Sequence, residues 1–521
     1  LDSPWSIQGV YLYCSISDRP INAEENTAKY WNEQAKDSLE DALELQPITR
    51  KAKNLIMLLG DGMGVTTITA GRIYQGQVKG QPGEENILHC MVTYSVICDY
   101  GETLFVHPFV PDSAGTGTAY LCGVKTNSGV LGLTAATQFA VCNTSYGNEV
   151  KSILHRAKEA GKSVGIVSTT RVQHASPGAA YAHSASRSWY SDSEMSSSNI
   201  RDGCKDISYQ LVHNTDINVI LGGGRVYMNP RGTPDPEYPT STSNQALRND
   251  NLTLIDTWLN ARQNAKYVWN KSDFDAVDES TTDYLMGLFE PRDMNYELNR
   301  DPTTDPSLEE MTEKAIKILS KNKNGFFLFV EDEIDHGHHD GRAKQSLTEM
   351  LEFDKAVKKA GEMTSDSETL TVVTADHSHV FSFGGYTDRG TSILGLAPGR
   401  GSDAKPYTSL VYGNGPGFQL TNGTRPDITD VNTEANDYRQ QAPVPLSSET
   451  HGGEDVAIMA KGPFAHLFHG VQEQSYIAHV MAYAACLEPY HACTFNSASF
   501  TLYSAPLLPL LTLWVLLMLL W

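Results

Sequence analysis

Acidic and imidazole side chains cluster in the segment IDHGHHDGR, where Asp335, His336, His338 and His339 lie within five positions. Histidine is the commonest transition-metal ligand in proteins, and a carboxylate combined with imidazoles suits Zn²⁺. Asp335 and His339 are four residues apart, so one helical turn would bring both side chains to one ion. Because the cluster directly follows an apolar stretch, a metal site is favoured over a histidine-rich surface loop.

A second cluster, TADHSH, contains Asp376, His377 and His379 and also follows an apolar stretch. Asp61 ends a third such stretch in LLGDGMG, and His451 lies in the Gly-flanked segment SETHGGEDVAI. Asp61 alone could be an ordinary turn residue. Together with the first cluster, these residues predict a polynuclear metal centre in which His451 could complete a tetrahedral site.

Ser113 lies in the segment VPDSAGTGTAYLCG, next to Asp112 and just before a predicted helix. At a helix N-terminus, free N–H groups and the helix dipole stabilise the oxygens of an attacked phosphoryl group. A serine in this place could also be only a helix N-cap. The Gly-x-Ser-x-Gly motif of the triad hydrolases is absent. A hydroxyl activated by metal ions needs no histidine base, which agrees with the predicted ligands.

The segment TTRVQHASPGAAYAHSASRSWYSD offers ligands of another kind. His174 and Ser176 follow a predicted strand and could serve a hard cation such as Mg²⁺, which accepts oxygen ligands and retains water. Arg187 is a candidate phosphate clamp, because a guanidinium group grips two phosphate oxygens in a fixed fork. A surface arginine is the alternative interpretation of Arg187.

The elements that must position these residues are short apolar strands that end in polar or acidic residues. They are NLIMLLG followed by Asp61, SVGIVSTT (163–170), INVILGG (217–223), GFFLFVEDE (325–333) and TLTVVTADHSH (369–379). Helical stretches such as 148–160 and 308–321 separate them. This alternation predicts an α/β fold with a large, mostly parallel central sheet flanked by helices on both faces. Ligands of such sheets bind beyond the carboxyl ends of the strands.

Charge and the chain ends limit the partners and the location. The 521-residue chain has a formal net charge of −22, which argues against nucleic-acid binding. Residues 505–521 are apolar and uncharged, and a short polar spacer separates them from Asn496. This pattern predicts a GPI-attachment signal with Asn496 as the attachment residue; a tail-anchored helix is the alternative. Candidate glycosylation sites are Asn143, Asn251, Asn270 and Asn422.

Six motifs occur together in one order: LLGDGMG, VPDSAGTGTAY, VQHASP, IDHGHH, TADHSHVFSFGGY and ETHGGEDVAI. The set resembles the animal alkaline phosphatases of the vertebrate, GPI-linked type, over about residues 24–495. The resemblance implies a homodimer that hydrolyses phosphate monoesters through a phosphoserine intermediate, on the extracellular face of the plasma membrane. We divide the chain into a leader remnant or irregular N-terminus (1–23), a catalytic domain (24–495) and the attachment signal (496–521). The catalytic domain would carry an N-terminal helical arm and a small crown-like insertion at about 385–440.

The resemblance also implies two zinc ions, one magnesium ion and one structural calcium ion. The first zinc ion would be bound by Asp335, His339 and His451. The second zinc ion, beside the nucleophile Ser113, would be bound by Asp61, Asp376 and His377. The magnesium ligands would be Asp61, Ser176 and Glu331. The calcium ligands would be Glu237, the carbonyl group of Phe289, Glu290 and Asp305.

Further roles follow from the same resemblance. Arg187 would bind phosphate, and Asp112, His174 and His336 would lie beside the ligands. Disulfides would join Cys142 to Cys204 and Cys486 to Cys493, and Cys122 would stay unpaired.

One segment departs from the family pattern. The family usually reads VEGGRIDHGHH, whereas this chain reads VEDEIDHGHH, which is one residue shorter and has two added acids. We assign Glu331 to magnesium, although Asp332 or Glu333 could displace it.

Three other functions stay open at this point. A phosphodiesterase or a sulfatase could share the sheet and the metal ions, although the sulfatase motif Cys-x-Pro-x-Arg is absent and Ser176 with Glu331 favours monoesters. A surface receptor that has lost catalysis and a nucleotide-specific phosphatase are the other two alternatives.

Overall fold

The computed structural model describes residues 23–81, 83, 99–102 and 110–491. The predictions for residues 1–22, Cys493 and 496–521 lie outside these residues. A ten-stranded sheet forms the centre, in the order β16-β2-β15-β8-β1-β7-β3-β4-β6-β5. Within it, β15 is antiparallel to both neighbours, while the other pairs are parallel. The predicted large, mostly parallel sheet is confirmed.

The strands of the large sheet are β1 Asn54–Gly60, β2 Asp99–Glu102, β3 Ser163–Arg171, β4 Val219–Gly223, β5 Ala265–Val268, β6 Tyr284–Leu288, β7 Phe326–Asp332, β8 Thr369–Thr374, β15 Val456–Lys461 and β16 Gln472–Glu473. Three two-stranded sheets pair β9 with β14, β10 with β13, and β11 with β12. Their bounds are β9 Ser378–His379, β10 Phe381–Phe383, β11 Leu396–Arg400, β12 Pro406–Thr408, β13 Leu410–Tyr412 and β14 His451–Gly452.

The α-helices are Ala28–Glu44, Val65–Val78, Ser113–Cys122, Ile153–Glu159, Ala175–Ala179, Ser197–Arg201, Ile207–His213, Leu254–Asn260, Lys271–Asp275, Leu308–Leu319, Asp335–His339, Ala343–Met363 and Ser475–Ala485. The stretch 148–160 was predicted to be helical, but its helix begins only at Ile153. The hydroxyl of Ser152 accepts a hydrogen bond from the His155 N–H and caps the first turn, which leaves 148–152 outside the helix.

Both faces of the sheet are covered, which explains the continuous apolar strands. In β1, Leu55, Met57 and Leu59 pack into one core cluster, together with the helices Ser113–Cys122 and Ser475–Ala485. Ile56 and Leu58 point to the opposite cluster, with the helices Leu308–Leu319 and Ala343–Met363. Because successive strand residues face opposite sides, a strand between two helix layers needs apolar residues at every position.

The carboxyl ends of the central strands lie at one level. Leu59 of β1 pairs with Glu331 of β7 on one side and with Thr374 of β8 on the other. Glu331 pairs in turn with Ser168 of β3. The segments that follow these strands, and carry the candidate ligands, therefore emerge together at one edge of the sheet.

Two peripheral features match predicted positions. The helix Ala28–Glu44 begins after the N-cap Thr27, and its residues Trp31 and Leu43 are exposed. The small sheets β10–β13 and β11–β12 overlap the proposed insertion at 385–440. None of the helices within the described ranges is long and apolar enough to cross a membrane.

Candidate metal centre

One group of ligand atoms joins Asp335, His339 and His451. Nε2 of His339 lies 3.3 Å from Oδ2 of Asp335, and Nε2 of His451 lies 3.5 Å from Oδ1 of Asp335. The short helix Asp335–His339 creates the four-residue spacing, while β14 brings in His451. The Nε2 atoms of the two histidines face each other at 3.3 Å. Two facing imidazole nitrogens beside a buried carboxylate fit a bound cation.

The other ring nitrogens fix the orientation of these imidazoles. Nδ1 of His339 donates to the carbonyl oxygen of Glu449 at 2.5 Å, and Nδ1 of His451 donates to the carbonyl oxygen of Pro111 at 2.6 Å. In this tautomer the Nε2 lone pairs point at Asp335, as metal ligation requires. Burial together with the neighbouring His377 lowers the pKa of His451 to about 3, so its ring is neutral at working pH.

A second group surrounds His377. Its Nε2 lies 3.1 Å from Oδ2 of Asp376, 3.5 Å from Oδ1 of Asp61 and 3.3 Å from Oγ of Ser113. Asp61 and Asp376 are fully buried, and both carboxylate oxygens of Asp61 and Oδ2 of Asp376 have no hydrogen-bond partner. Burial and the charges of Asp376 and Asp335 raise the pKa of Asp61 well above its ordinary value. Buried carboxylates without partners are the environment that a divalent ion would neutralise.

Ser113 is the first residue of the helix Ser113–Cys122, and Asp112 is its N-cap. The Asp112 side chain accepts a hydrogen bond from the N–H of Ala114. The interpretation of Ser113 as only an N-cap is therefore wrong. The residue is 2% exposed, and its hydroxyl faces His377 instead.

Two of the predicted magnesium ligands, Asp61 and Glu331, lie close together, and the hydroxyl of the third, Ser176, is buried without a hydrogen-bond partner. Ligand atoms of Asp61, His174 and Glu331 lie within 4.8 Å of one another. Burial raises the pKa of Glu331 to about 8, while the hydrogen bond from Ser168 lowers it. Oε2 of Glu331 accepts from Oγ of Ser168 at 2.6 Å, and Oε1 has no hydrogen-bond partner. A carboxylate oxygen is thus left free for a ligand.

The two added acids make contacts of their own. Asp332 accepts from Oγ1 of Thr169 at 3.3 Å and has Glu349 as its acidic neighbour. Glu333 forms an ion pair with His336. In the strand register Glu331 lies level with Leu59 of β1 and Ser168 of β3, one residue before the end of β7.

Arg187 lies between Asp112 and His174. Its Nη1 donates to Oδ2 of Asp112 at 3.1 Å, and its Nη2 lies 3.2 Å from Nε2 of His174. Asp112 also accepts from the N–H of Gly129 at 3.0 Å. These contacts orient a guanidinium group next to the helix that carries Ser113.

The predicted calcium ligands form a separate acidic group. Burial, Glu237 and Asp305 raise the pKa of Glu290 to about 8, and burial with Glu237 raises the pKa of Asp305 to about 6. Phe289 directly precedes Glu290 at the end of β6. Arg225 donates to Glu237 at 2.9 Å. Mutually repelling carboxylates that are partly buried fit a cation with oxygen ligands.

Most of the cysteines with a predicted state lie within the described residues. Cys142 and Cys204 form a disulfide. Cys486 is disulfide-bonded, but its predicted partner Cys493 lies outside the described residues. Cys122 is a buried free thiol.

Of the candidate glycosylation sites, Asn143, Asn251 and Asn422 are exposed. Asn270 is half-buried, caps the helix Lys271–Asp275 and donates through Nδ2 to Asp273 at 2.9 Å.

Sequence reasoning missed Glu449 and assigned His379 to the predicted metal centre without a particular ion. Nε2 of His379 lies 2.8 Å from Oδ1 of Asp335, and its Nδ1 donates to Oε2 of Glu449 at 2.6 Å. Glu449 also accepts from the N–H of Val380 at 2.8 Å. This chain of contacts holds Asp335 through His379. The sequence signal for Glu449 was its position two residues before His451, in the segment SETHGGEDVAI.

A buried acid beside the centre makes stability depend on pH. Burial raises the pKa of Glu349 to about 8, although the Glu297 N–H, which donates to it at 2.7 Å, lowers the pKa. Since the folded-state pKa exceeds the ordinary value, the protonated carboxyl stabilises the fold below about pH 4.5. This contribution is lost as the pH rises through about 8. We expect Glu349→Gln to unfold at a higher temperature than wild type at pH 9, with a smaller difference at pH 5.

Calorimetry at the two pH values measures this effect. Glu362 is half-exposed on the same helix, so Glu362→Gln is the matched control. It should leave the unfolding temperature unchanged at both pH values. A Glu349→Gln variant that loses stability equally at both pH values would show that the carboxyl is ionised and paired.

A buried cluster of carboxylates and imidazoles, facing a serine at the carboxyl edge of a parallel sheet, is typical of metal-dependent α/β enzymes. The alkaline phosphatase family model matches residues 52–487. The tissue-nonspecific alkaline phosphatase isozyme of Felis catus is 56% identical over 479 residues, which cover 91% of each chain. The Homo sapiens isozyme is 54% identical over 507 residues, 96% of each chain. The chain therefore belongs to the alkaline phosphatase family and is a phosphomonoesterase.

Solved structures agree on the fold. The alkaline phosphatase from the Antarctic bacterium TAB5 superposes with a TM-score of 0.58 at 20% identity and covers 84% of this chain and 99% of its own. The Thermus thermophilus alkaline phosphatase gives a TM-score of 0.60 at 21% identity, with 84% and 92% covered. The family implies metal cofactors, and the ligand groups described above are the candidates to hold them.

Proposed function

We propose that this enzyme hydrolyses phosphate monoesters by double displacement, with Ser113 as the nucleophile. Ser113 would attack phosphorus, release the alcohol and form a phosphoserine that water then hydrolyses. The observation that carries the proposal is the position of the Ser113 hydroxyl, buried at a helix N-terminus and 3.3 Å from Nε2 of His377. His377 lies beside Asp61 and Asp376, whose buried carboxylates include oxygen atoms without hydrogen-bond partners.

The residues present fit two zinc ions and one magnesium ion. Asp335, His339 and His451 would hold one zinc ion, and Asp61, Asp376 and His377 the other, with Ser113 next to it. Asp61, Ser176 and Glu331 offer the oxygen ligands that magnesium prefers. When bound, such ions lower the pKa of a hydroxyl and stabilise negative charge on the attacking and leaving oxygens.

The chain itself supplies the rest of the phosphate site. The helix Ser113–Cys122 presents free N–H groups and the positive end of its dipole to the phosphoryl group. Arg187 would grip two non-reacting phosphate oxygens. Asp112 holds this guanidinium in place and at the same time caps the helix, so both parts are oriented before substrate arrives.

Trapping the intermediate tests the proposal. Enzyme mixed with labelled phosphate monoester and quenched in acid should carry covalent phosphate on the peptide that contains Ser113. Metal analysis of the same preparation should find both zinc and magnesium. Label on another residue, or turnover by protein free of metal, would contradict the mechanism.

Arg187→Ala should weaken both turnover and phosphate binding. Removing one charged donor from developing negative charge costs about 10²-fold in kcat. We also expect the inhibition constant of inorganic phosphate to rise, because product and transition state share the equatorial oxygens. Steady-state kinetics with product inhibition measure both. Arg187→Lys keeps the charge but loses the two-pronged geometry, so it should recover only part of the loss. If wild type, Arg187→Ala and Arg187→Lys had the same kinetics, Arg187 would not bind the phosphate group.

The proposal also covers the assembly of two chains. We propose a homodimer in which the arm Ala28–Glu44 and the insertion around Tyr386 meet a second copy. Trp31 is 53% exposed and Tyr386 is 98% exposed, which is unusual for large apolar rings. Light scattering should give twice the mass of the chain, and a monomeric mass would contradict this.

Calcium and the membrane anchor also stay proposals. Glu237, Phe289, Glu290 and Asp305 would hold a structural calcium ion. Attachment through a GPI anchor at Asn496 would place the enzyme, glycosylated at exposed sequons, on the extracellular face of the plasma membrane. Release from cells by a phospholipase that cleaves such anchors tests the attachment, and enzyme that stays bound would contradict it.

A further inference from the structure

Three side chains outside the proposed two-zinc, one-magnesium ligand set form another potential ligand group. His174, Glu333 and His336 each offer one ligand atom, and these atoms lie within 4.8 Å of one another. Their rings and carboxylate come from separate elements. His174 precedes the helix Ala175–Ala179, Glu333 follows β7, and His336 lies in the helix Asp335–His339. A ring nitrogen of His174 is also within 4.8 Å of ligand atoms of Asp61 and Glu331, so the group adjoins the proposed magnesium ligands.

The group contains a buried ring nitrogen that lacks a hydrogen bond. His174 is 3% exposed and Glu333 is 4% exposed. Nε2 of His174 contacts Arg187, whereas its Nδ1 is buried without a hydrogen-bond partner. Oε1 of Glu333 forms an ion pair with Nδ1 of His336. An unsatisfied imidazole nitrogen in the interior is costly, and a coordinated cation would satisfy it.

Glu333 is held in place from its backbone. Its N–H donates to Oγ1 of Thr169 at 2.9 Å, which fixes the turn after β7. This acid is one of the two that distinguish VEDEIDHGHH from the pattern VEGGRIDHGHH. The shortened turn therefore puts a carboxylate beside two imidazoles where the usual pattern supplies none.

The surrounding charge permits a cation. The two nearby arginines are already paired with acids. Nη2 of Arg187 lies 3.2 Å from Nε2 of His174, but its Nη1 donates to Asp112 at 3.1 Å. Nη1 of Arg171 lies 2.6 Å from both carboxylate oxygens of Asp293. Glu333 and His336 also line a cavity of about 220 Å³, together with Asp293, Asn295 and Tyr296. This space can hold a water molecule as a fourth ligand.

We propose that His174, Glu333 and His336 bind one additional zinc ion next to the catalytic centre. Two imidazoles and one carboxylate with an open fourth position form a known zinc ligand set. Magnesium is disfavoured because it selects oxygen ligands. The site goes beyond the proposed double displacement, which does not require it.

Zinc analysis of the holoenzyme tests the site. Wild type saturated with Zn²⁺ and Mg²⁺ and then desalted should contain one zinc ion more per chain than Glu333→Gln. Asp332→Asn is the matched control, because Asp332 is the adjacent buried acid but contacts Thr169 and Glu349 instead. The control should keep the wild-type zinc content.

Crystallography at the zinc absorption edge gives a second readout that needs no variant. The expected result is an anomalous peak between His174, Glu333 and His336 in wild type. Equal zinc content in wild type and Glu333→Gln, or no peak at this position, would overturn the proposal and leave an ion pair of Glu333 with His336. Peaks at the Asp335–His339–His451 group and at His377 test the catalytic centre separately, so failure of one proposal is distinguishable from failure of the other.

Discussion

Ser113→Ala is expected to reduce turnover of a chromogenic phosphate monoester by about 10⁴-fold or more, as removal of a nucleophile does in other hydrolases. The variant loses the only atom that could form the covalent intermediate in the proposed mechanism. The helix Ser113–Cys122 should survive, because Asp112 and not Ser113 is its N-cap and alanine favours helices. Steady-state rates and acid-quench labelling measure the effect.

Two measurements separate loss of chemistry from loss of structure. The variant should keep the wild-type content of zinc and magnesium and the wild-type unfolding temperature. It should show no covalent phosphate. A variant that retains a tenth of the wild-type rate would show that another group, or water, attacks phosphorus.

Asp61→Asn should have the second-largest effect, with opposite signs in the presence and absence of metal. Asp61 is shared by the proposed second zinc and magnesium sites, so its neutralisation should weaken both and reduce activity by roughly 10³-fold. In metal-free protein the same change should stabilise the fold. Burial raises the pKa of Asp61 well above its ordinary value, so the folded state loses stability as the pH rises through that pKa.

Thermal unfolding at pH 9, with and without metal ions, provides the test. Metal-free Asp61→Asn should unfold at a higher temperature than metal-free wild type. On saturation with Zn²⁺ and Mg²⁺, the unfolding temperature of wild type should rise more than that of Asp61→Asn, so that wild type becomes the more stable protein. Glu362→Gln, on an exposed helix face, controls for the general loss of a negative charge. If metal ions raise the unfolding temperature of Asp61→Asn as much as that of wild type, Asp61 is not a ligand.

Sequence patterns predicted the central strands because burial on both faces leaves a continuous apolar signal. The edge strand β5 and the strand β2, which lies next to the opposite edge, were missed, since AKYV and DYGE carry no such signal. The antiparallel direction of β15 was also beyond reach. It depends on the path of a long connection rather than on the residues of the strand, so no local pattern encodes it.

The candidate site shows the same limit. The spacing of Asp335 and His339 predicts their meeting, because it depends on one helical turn. Glu449, in contrast, reaches the site through its contact with His379, 70 residues earlier in the chain. The side-chain contacts of Asp332 depend on Glu349, which lies in a helix that follows later in the chain. Local spacing cannot foresee contacts between elements that only the complete fold brings together.

The double attachment of Asp112 has an evolutionary and engineering consequence. One carboxylate caps the helix that begins with Ser113 and also fixes the guanidinium of Arg187. A shift of this side chain would displace the attacking hydroxyl and the oxygen-gripping fork together, so the two cannot be retuned one at a time. Attempts to broaden substrate choice by moving Arg187 alone would first have to give the helix an independent cap.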